Sequence, residues 1–117
     1  MTTETTTTAT AGGQADAGRA LLALLITHPD LPTPNIGLQR LKPSTGPWMW
    51  GVRATLHDDL GEFEQWRAAL DLAPAAVDHK QQVGGTLAWL IARGTPFGVP
   101  LELVGFYELS EPAIAGA

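Results

Sequence analysis

The chain has 117 residues, a formal net charge of -5 and 44% hydrophobic residues, which is the size and composition of a single globular domain. It contains no cysteine, which excludes disulfides, thiolate metal sites and cysteine nucleophiles and makes the cytoplasm the expected location. The acidic excess disfavours direct binding to nucleic acid. The leucine-rich run at 20–26 is too short to span a bilayer and lacks the flanks of a signal peptide, so no membrane association is expected.

The chain begins with a stretch composed almost entirely of threonine, alanine and glycine, and this composition predicts a disordered tail over residues 1–13. A single domain is predicted over 14–111, with residues 112–117 as a frayed tail. Its first helix is expected at 14–27, where leucines form a broad apolar face and His28-Pro29 supplies the stop.

A β-hairpin is predicted next, with a first strand at 36–41 and a turn at 42–47 that is rich in proline, serine and glycine. The second strand alternates clearly. The even-numbered residues are expected in the core and the odd-numbered ones at the wet surface, the core set being Trp48, Trp50, Val52, Ala54 and Leu56.

A second helix is predicted to start after Asp58 or Asp59, because Asp59 and Glu62 have the spacing of a capping box. It should end before Pro74. Its apolar stripe, which is expected to pack on the sheet, consists of Leu60, Phe63, Trp66 and Leu70.

Three further strands are predicted at 77–83, 86–93 and 99–109, with a tight turn or bulge at Gly84-Gly85. Both faces of 86–93 are apolar, so this strand is expected inside the sheet. The element order is α-β-β-α-β-β-β. Together these features predict a two-layer α+β fold, with an antiparallel sheet of four to five strands and two helices on one face.

Three segments carry a resemblance to a known group of proteins: the opening Leu24-Leu25-Ile26-Thr27-His28-Pro29-Asp30-Leu31-Pro32, the run Leu60-Gly61-Glu62-Phe63-Glu64-Gln65-Trp66, and a closing strand Val-Pro-Leu-Glu-Leu-Val-Gly-Phe at 99–106. The chain resembles small uncharacterised actinobacterial proteins with an LLxxHPxLPxP opening, often carried by phages or integrative elements. The resemblance implies no activity and no catalytic residue. It favours an accessory or interaction protein.

The side chains that carry most catalytic chemistry form no recognisable constellation. His28 follows a helix, where it can interact with the helix dipole, while His57 and His79 would approach only if their strands were neighbours. Asp59 and Glu62 are explained as the N-cap of a helix and a carboxylate that complements the helix dipole. The sequence therefore predicts no enzyme activity, no metal site and no cofactor.

Four tryptophans are unusual in so short a chain. Trp48, next to a proline-stiffened turn, is the one most expected to be partly exposed, and its placement in the core is the open alternative. A protein-interaction site is predicted at Arg40, Trp48, Met49 and Arg53. The expected function is a non-enzymatic protein-interaction or accessory module that binds a protein partner or forms a homodimer. Two alternatives remain: a small-ligand-binding domain with a tryptophan-lined pocket, and an acidic inhibitor acting on a host or phage factor.

Overall fold

The computed structural model describes residues 10–42, 46–57 and 59–109. Two helices and five strands follow one another in the predicted order α-β-β-α-β-β-β. The helices are α1 (Ala11–Thr27) and α2 (Leu60–Ala69). The strands are β1 (Asn35–Leu41), β2 (Met49–His57), β3 (Asp78–Gln81), β4 (Leu87–Gly94) and β5 (Leu101–Glu108). The α+β class and the element order are therefore confirmed.

The strands form one sheet in the order β1-β2-β5-β4-β3. The pairs β1/β2, β3/β4 and β4/β5 are antiparallel, but β2 and β5 are parallel. The prediction of a purely antiparallel sheet was therefore wrong at this pair. No hairpin joins β2 to β5, because α2, β3 and β4 lie between them in the chain. A connection of that length permits parallel pairing.

Both helices pack on the same face of the sheet, and a single hydrophobic core lies between the two layers. Val52, Ala54 and Leu56 of β2 point into this core, as the alternation predicted. Trp50 packs at its margin, whereas Trp48, just before β2, is 52% exposed and lies outside it. The even-numbered side of β2 is thus the helix side of the sheet.

Helix α1 begins earlier than the sequence indicated. Thr10 is its N-cap, and the Thr10 Oγ1 accepts a hydrogen bond from the Gly13 N–H (3.2 Å). Residues 11–13 therefore belong to the helix rather than to the predicted tail, because the cap compensates for the poor helix propensity of Gly12 and Gly13. Residues 1–9 and 110–117, which hold the rest of both predicted tails, lie outside the described residues.

Helix α2 is capped by Asp59, whose Oδ1 accepts from the Gly61 N–H (2.8 Å). Its residues Phe63 and Trp66 are each only 2% exposed, which confirms the predicted packing stripe at these two positions. The Trp66 indole donates to the carbonyl oxygen of Pro32 (2.7 Å). This bond ties α2 to the proline-rich segment between α1 and β1.

Candidate functional site

The face of the sheet opposite the two helices is the candidate site, and we call it the open face. None of the described helices covers it, because α1 and α2 share the other face. Strand alternation places two sets of side chains there. The apolar set consists of Leu87, Trp89, Ile91, Val104 and Phe106. The charged set consists of Arg53, Asp78, Lys80, Arg93, Glu102 and Glu108.

A row of alternating charges, the charged row, crosses four strands from β2 to β3. Arg53 Nε lies 3.6 Å from Glu102 Oε1, and Arg93 Nε lies 3.5 Å from Glu102 Oε2. Arg93 also donates from Nη1 to Asp78 Oδ2 at 2.6 Å. The signs along the row are positive, negative, positive, negative. Each acidic residue is therefore already neutralised within the chain.

The electrostatic consequences of the charged row centre on Arg93. Its hydrogen bond holds the pKa of the Asp78 carboxyl below the ordinary value, because the guanidinium favours the ionised acid. The same hydrogen bond, together with Glu102, raises the pKa of Arg93. Both groups stay charged over the physiological pH range.

An aromatic row runs beside the charged row, four residues further along the strands. His57 stacks on Phe106 with ring centroids 5.2 Å apart and planes 10° from parallel. Phe106 and Trp89 lie 5.9 Å apart and are tilted by 43°. The side chains of Phe106 and Trp89 are half-buried, so part of each ring faces solvent. Contiguous, partly exposed aromatic surface of this kind is characteristic of binding sites.

Val104 and Ile91 form the floor between the two rows. They are register partners in adjacent strands, and both are buried although neither α1 nor α2 lies above them. The flanking aromatic and arginine side chains are long enough to cover them. The open face therefore presents a packed surface with an apolar centre and a charged margin.

A shallow groove of about 220 Å³ lies at the end of the open face near the charged row. Its lining combines Leu41 and Pro100 with Arg93 and Glu102. Leu41 reaches this position because Gly51 has no side chain: a Cβ on Gly51 would lie 2.8 Å from Leu41 Cδ1 and 2.5 Å from the Pro100 carbonyl oxygen. The groove thus extends the open face towards β1.

The four residues of the predicted interaction site are not brought together on one surface. Arg53 and Met49 have the odd-numbered alternation that faces away from the helices. Arg40 pairs with Trp50, which packs against the core on the helix side. Trp48 precedes β2 and is 52% exposed, a point that the sequence left open. Of this set, Arg53 is part of the charged row.

The histidines occupy three separate places. His57 is on β2 and His79 on β3, and two strands lie between them, so the pair does not meet. His79 stacks on Tyr107 and forms a hydrogen bond to its hydroxyl through Nε2. His28 is the C-cap of α1 and packs edge-on against Trp66 at 5.7 Å. Within residues 10–42, 46–57 and 59–109, no group of three or more His, Asp or Glu residues is placed to hold a metal ion.

The tryptophans have four different environments. Trp66 is buried in the core, Trp50 lies at the core margin, Trp48 is exposed and Trp89 belongs to the aromatic row. They do not line a common pocket. This arrangement does not favour the tryptophan-lined ligand pocket that the composition suggested.

Sequence reasoning missed Trp89, Phe106 and Glu102 as site residues. The alternation of their strands was visible, and it places Leu87, Trp89 and Ile91 on one face. It does not show which strands are neighbours, and the rows exist only because β5 lies between β2 and β4.

The comparisons with known proteins identify no relative: no family model, curated protein or solved structure matches the chain significantly. Across the described parts of the chain, no helix is both long enough and apolar enough to cross a membrane. The geometry of the open face is therefore the main evidence on function.

Proposed function

We propose that this chain is a non-enzymatic protein-interaction module of the cytoplasm, and that its contact surface is the open face of the sheet. One observation carries the proposal. The aromatic row of His57, Phe106 and Trp89 crosses three adjacent strands on a sheet face that none of the described helices covers.

The physical case rests on what a partner would gain by covering this surface. Half-buried aromatic rings release further apolar area when a partner packs on them, and tryptophan and arginine are the residues most enriched among energetically dominant contacts. The rings are held by strand backbone on both sides, and Arg53 and Arg93 are held by ion pairs. Little side-chain freedom remains to be lost on binding.

A protein partner fits the charges of the face better than a nucleic acid does. Exposed aromatics on a sheet with nearby arginines are also a feature of single-strand-binding surfaces. Here, however, Arg53 pairs with Glu102, and Arg93 pairs with both Glu102 and Asp78. Those carboxylates would repel phosphates, and the chain as a whole carries a net charge of -5.

The acidic-inhibitor alternative relies on the same net charge but not on the same surface. An inhibitor that imitates nucleic acid needs a face dominated by carboxylates. The open face instead balances Arg53, Lys80 and Arg93 against Asp78, Glu102 and Glu108. This balance supports an interaction module over an inhibitor of that type.

The test compares the wild-type chain with Trp89→Ser and Phe106→Ser. Association is measured as self-association by sedimentation velocity, and as recovery of a defined protein band from a lysate. Both variants should lose the association that the wild type shows. Leu22→Ser is the matched control, because Leu22 is 57% exposed on α1 and lies on the other side of the molecule. It should associate normally.

Trp48→Ala separates the open face from the site predicted around residues 40–53. The variant should associate like the wild type if the open face is the contact surface. The proposal is wrong if Trp89→Ser and Phe106→Ser keep full association. It is also wrong if the face-dependent ligand is a single-stranded oligonucleotide, detected by fluorescence anisotropy.

A further inference from the structure

We propose that the occupant of the open face is a second copy of this chain, packed sheet to sheet about a two-fold axis that runs along the strands between β5 and β4. This inference rests on the proposed function and names the partner. It follows from the way the two rows are arranged around that line.

The strand register sets the height of each side chain. Phe106 pairs with Trp89, and Glu102 pairs with Arg93, so the members of each pair lie at the same height on either side of the line between β5 and β4. A rotation of 180° about that line exchanges the two strands. It places Phe106 against the partner's Trp89 and Glu102 against the partner's Arg93.

The contacts created in this way are complementary at the two heights of the β5/β4 pair that carry a row, whereas Glu108 at the outer end meets the partner's Leu87. An aromatic ring meets an aromatic ring, and a carboxylate meets a guanidinium. Val104 and Ile91 lie between these contacts but are already buried within each protomer, so they form an apolar floor beneath the interface rather than part of its contact area. Each contact occurs twice, as an isologous interface requires.

The charged row extends this complementarity beyond the two central strands. The signs of the charges alternate over Arg53, Glu102, Arg93 and Asp78. A half-turn about the middle of such a row places each charge over a strand that carries the opposite charge in the partner. Arg53 then lies over the strand that carries the partner's Asp78. Asp78 is level with Ile91 rather than with Arg93, so opposite charges face each other directly at Glu102 and Arg93, and diagonally at Arg53 and Asp78.

The other two-fold arrangement does not have this property. An axis across the strands would place β5 on the partner's β5 in the reverse direction, with Glu102 near the partner's Phe106. A carboxylate would then face an aromatic ring of the partner rather than a guanidinium. The axis along the strands is the only one of the two that matches ring with ring and charge with counter-charge.

The net charge of the chain also restricts where two copies can meet. Two molecules of charge -5 repel each other, and an approach through an acidic surface would add to the repulsion. The open face pairs cations and anions in equal number among its charged residues: Arg53, Lys80 and Arg93 with Asp78, Glu102 and Glu108. A second copy can reach this face without a further charge penalty.

The size of the face predicts the strength of the dimer. Four strands about 4.8 Å apart and four side-chain heights about 6.7 Å apart give a patch of roughly 500 Å², hence about 1,000 Å² for both protomers. That value is at the lower limit for specific protein interfaces. We therefore expect a reversible dimer with a dissociation constant in the micromolar range.

Two charge reversals test the arrangement. Glu102→Arg alone would place two arginines against each other, and Arg93→Glu alone would place two glutamates against each other. Each variant should raise the dissociation constant by about tenfold or more. An equimolar mixture should dimerise again, because both contacts between the two different variants then join an arginine to a glutamate.

The matched control is the pair Asp16→Arg and Arg19→Glu, which makes the same changes of charge on the exposed surface of α1. These variants should dimerise like the wild type, alone and mixed. The circular dichroism spectrum of each of the four variants is compared with that of the wild type to check that the variant is folded. The inference is overturned if the folded Glu102→Arg and Arg93→Glu chains remain monomeric when mixed.

A second experiment avoids any charge reversal. The chain has no cysteine, so Glu102→Cys and Arg93→Cys chains can be mixed and treated with a short bismaleimide. A covalent heterodimer is expected; its absence overturns the proposed axis. A wild-type chain that is monomeric at all concentrations, but binds another protein through Trp89, overturns this inference and leaves the proposed function intact.

Discussion

Phe63 of α2 lies directly over Gly105 of β5, and the two residues fit because Gly105 has no side chain. A Cβ placed on Gly105 would be 2.8 Å from Phe63 Cδ2 and 2.9 Å from Phe63 Cβ. Phe63 is 2% exposed and cannot turn into solvent without opening the core. This contact fixes how closely α2 approaches the centre of the sheet.

Gly105→Ala is therefore expected to destabilise the fold by about 1–3 kcal/mol, as overpacking of a core does. The measurement is urea unfolding followed by circular dichroism. Gly37→Ala on β1 is the control, since a Cβ there meets nothing within 4 Å, and it should be close to neutral. Phe63→Leu should recover part of the loss in the Gly105→Ala background. Equal stability of both glycine variants would contradict the contact.

Trp66 stabilises the fold through its burial and through its bond to Pro32. Trp66→Phe keeps most of the ring but removes the indole N–H that reaches the Pro32 carbonyl oxygen. We expect a loss of about 1–3 kcal/mol in the free energy of unfolding. Trp48→Phe should change it by less than about 0.5 kcal/mol, because Trp48 is largely exposed. If the two variants unfold alike, the assignment of Trp66 to the core is wrong.

The N-cap of α1 gives a prediction about the start of the domain. Thr10→Ala removes the hydroxyl that accepts from the Gly13 N–H and should cost about 0.5–2 kcal/mol. Thr10→Ser keeps a hydroxyl and should behave like the wild type. Thermal unfolding of the full chain measures both. A chain that starts at residue 14 should melt at a lower temperature than one that starts at residue 10, which the tail predicted over 1–13 would not allow.

The Asp78–Arg93 pair gives a prediction about acid pH. Since Arg93 lowers the pKa of Asp78 in the folded state, the pair stabilises the fold above the ordinary aspartate pKa of about 3.9. This contribution is lost as the pH falls through the lowered folded-state value. Arg93→Gln should raise the pKa of Asp78, measured by NMR titration of its carboxyl carbon.

Arg67→Gln is the control for this titration. Arg67 lowers the pKa of Glu64 through its own hydrogen bonds, so its replacement should raise the pKa of Glu64 and leave that of Asp78 unchanged. An Asp78 pKa that does not respond to Arg93→Gln would show that the two side chains are not paired in solution.

Most of the elements were predictable because their signals are local. Asp59 as the cap of α2, the stripe of Phe63 and Trp66, and the alternation of β2 all follow from the spacing of side chains along a helix or strand. The start of α1 was missed because Gly12 and Gly13 are poor helix formers and Thr10 was not recognised as the capping residue.

The candidate site was less predictable, because it consists of side chains that come together from different strands. Glu102 and Phe106 were recognised only as one side of an alternating strand, and Trp89 as one side of another. The aromatic and charged rows depend on the register between those strands. Arg53 was predicted as an interaction residue, but in a patch with Trp48 rather than in a row with Glu102.

The sequence by itself determined which segments are helices and strands, and which side chains of each segment are apolar. Only the tertiary structure decided that β5 lies in the centre of the sheet and runs parallel to β2. The physical reason is burial on both faces: Leu103 points towards the helices and Val104 towards the open face, and both are fully buried. At an edge position, the backbone N–H and C=O groups on one side of β5 would lack strand partners. Between β2 and β4, both residues are buried and the backbone groups on both sides form hydrogen bonds.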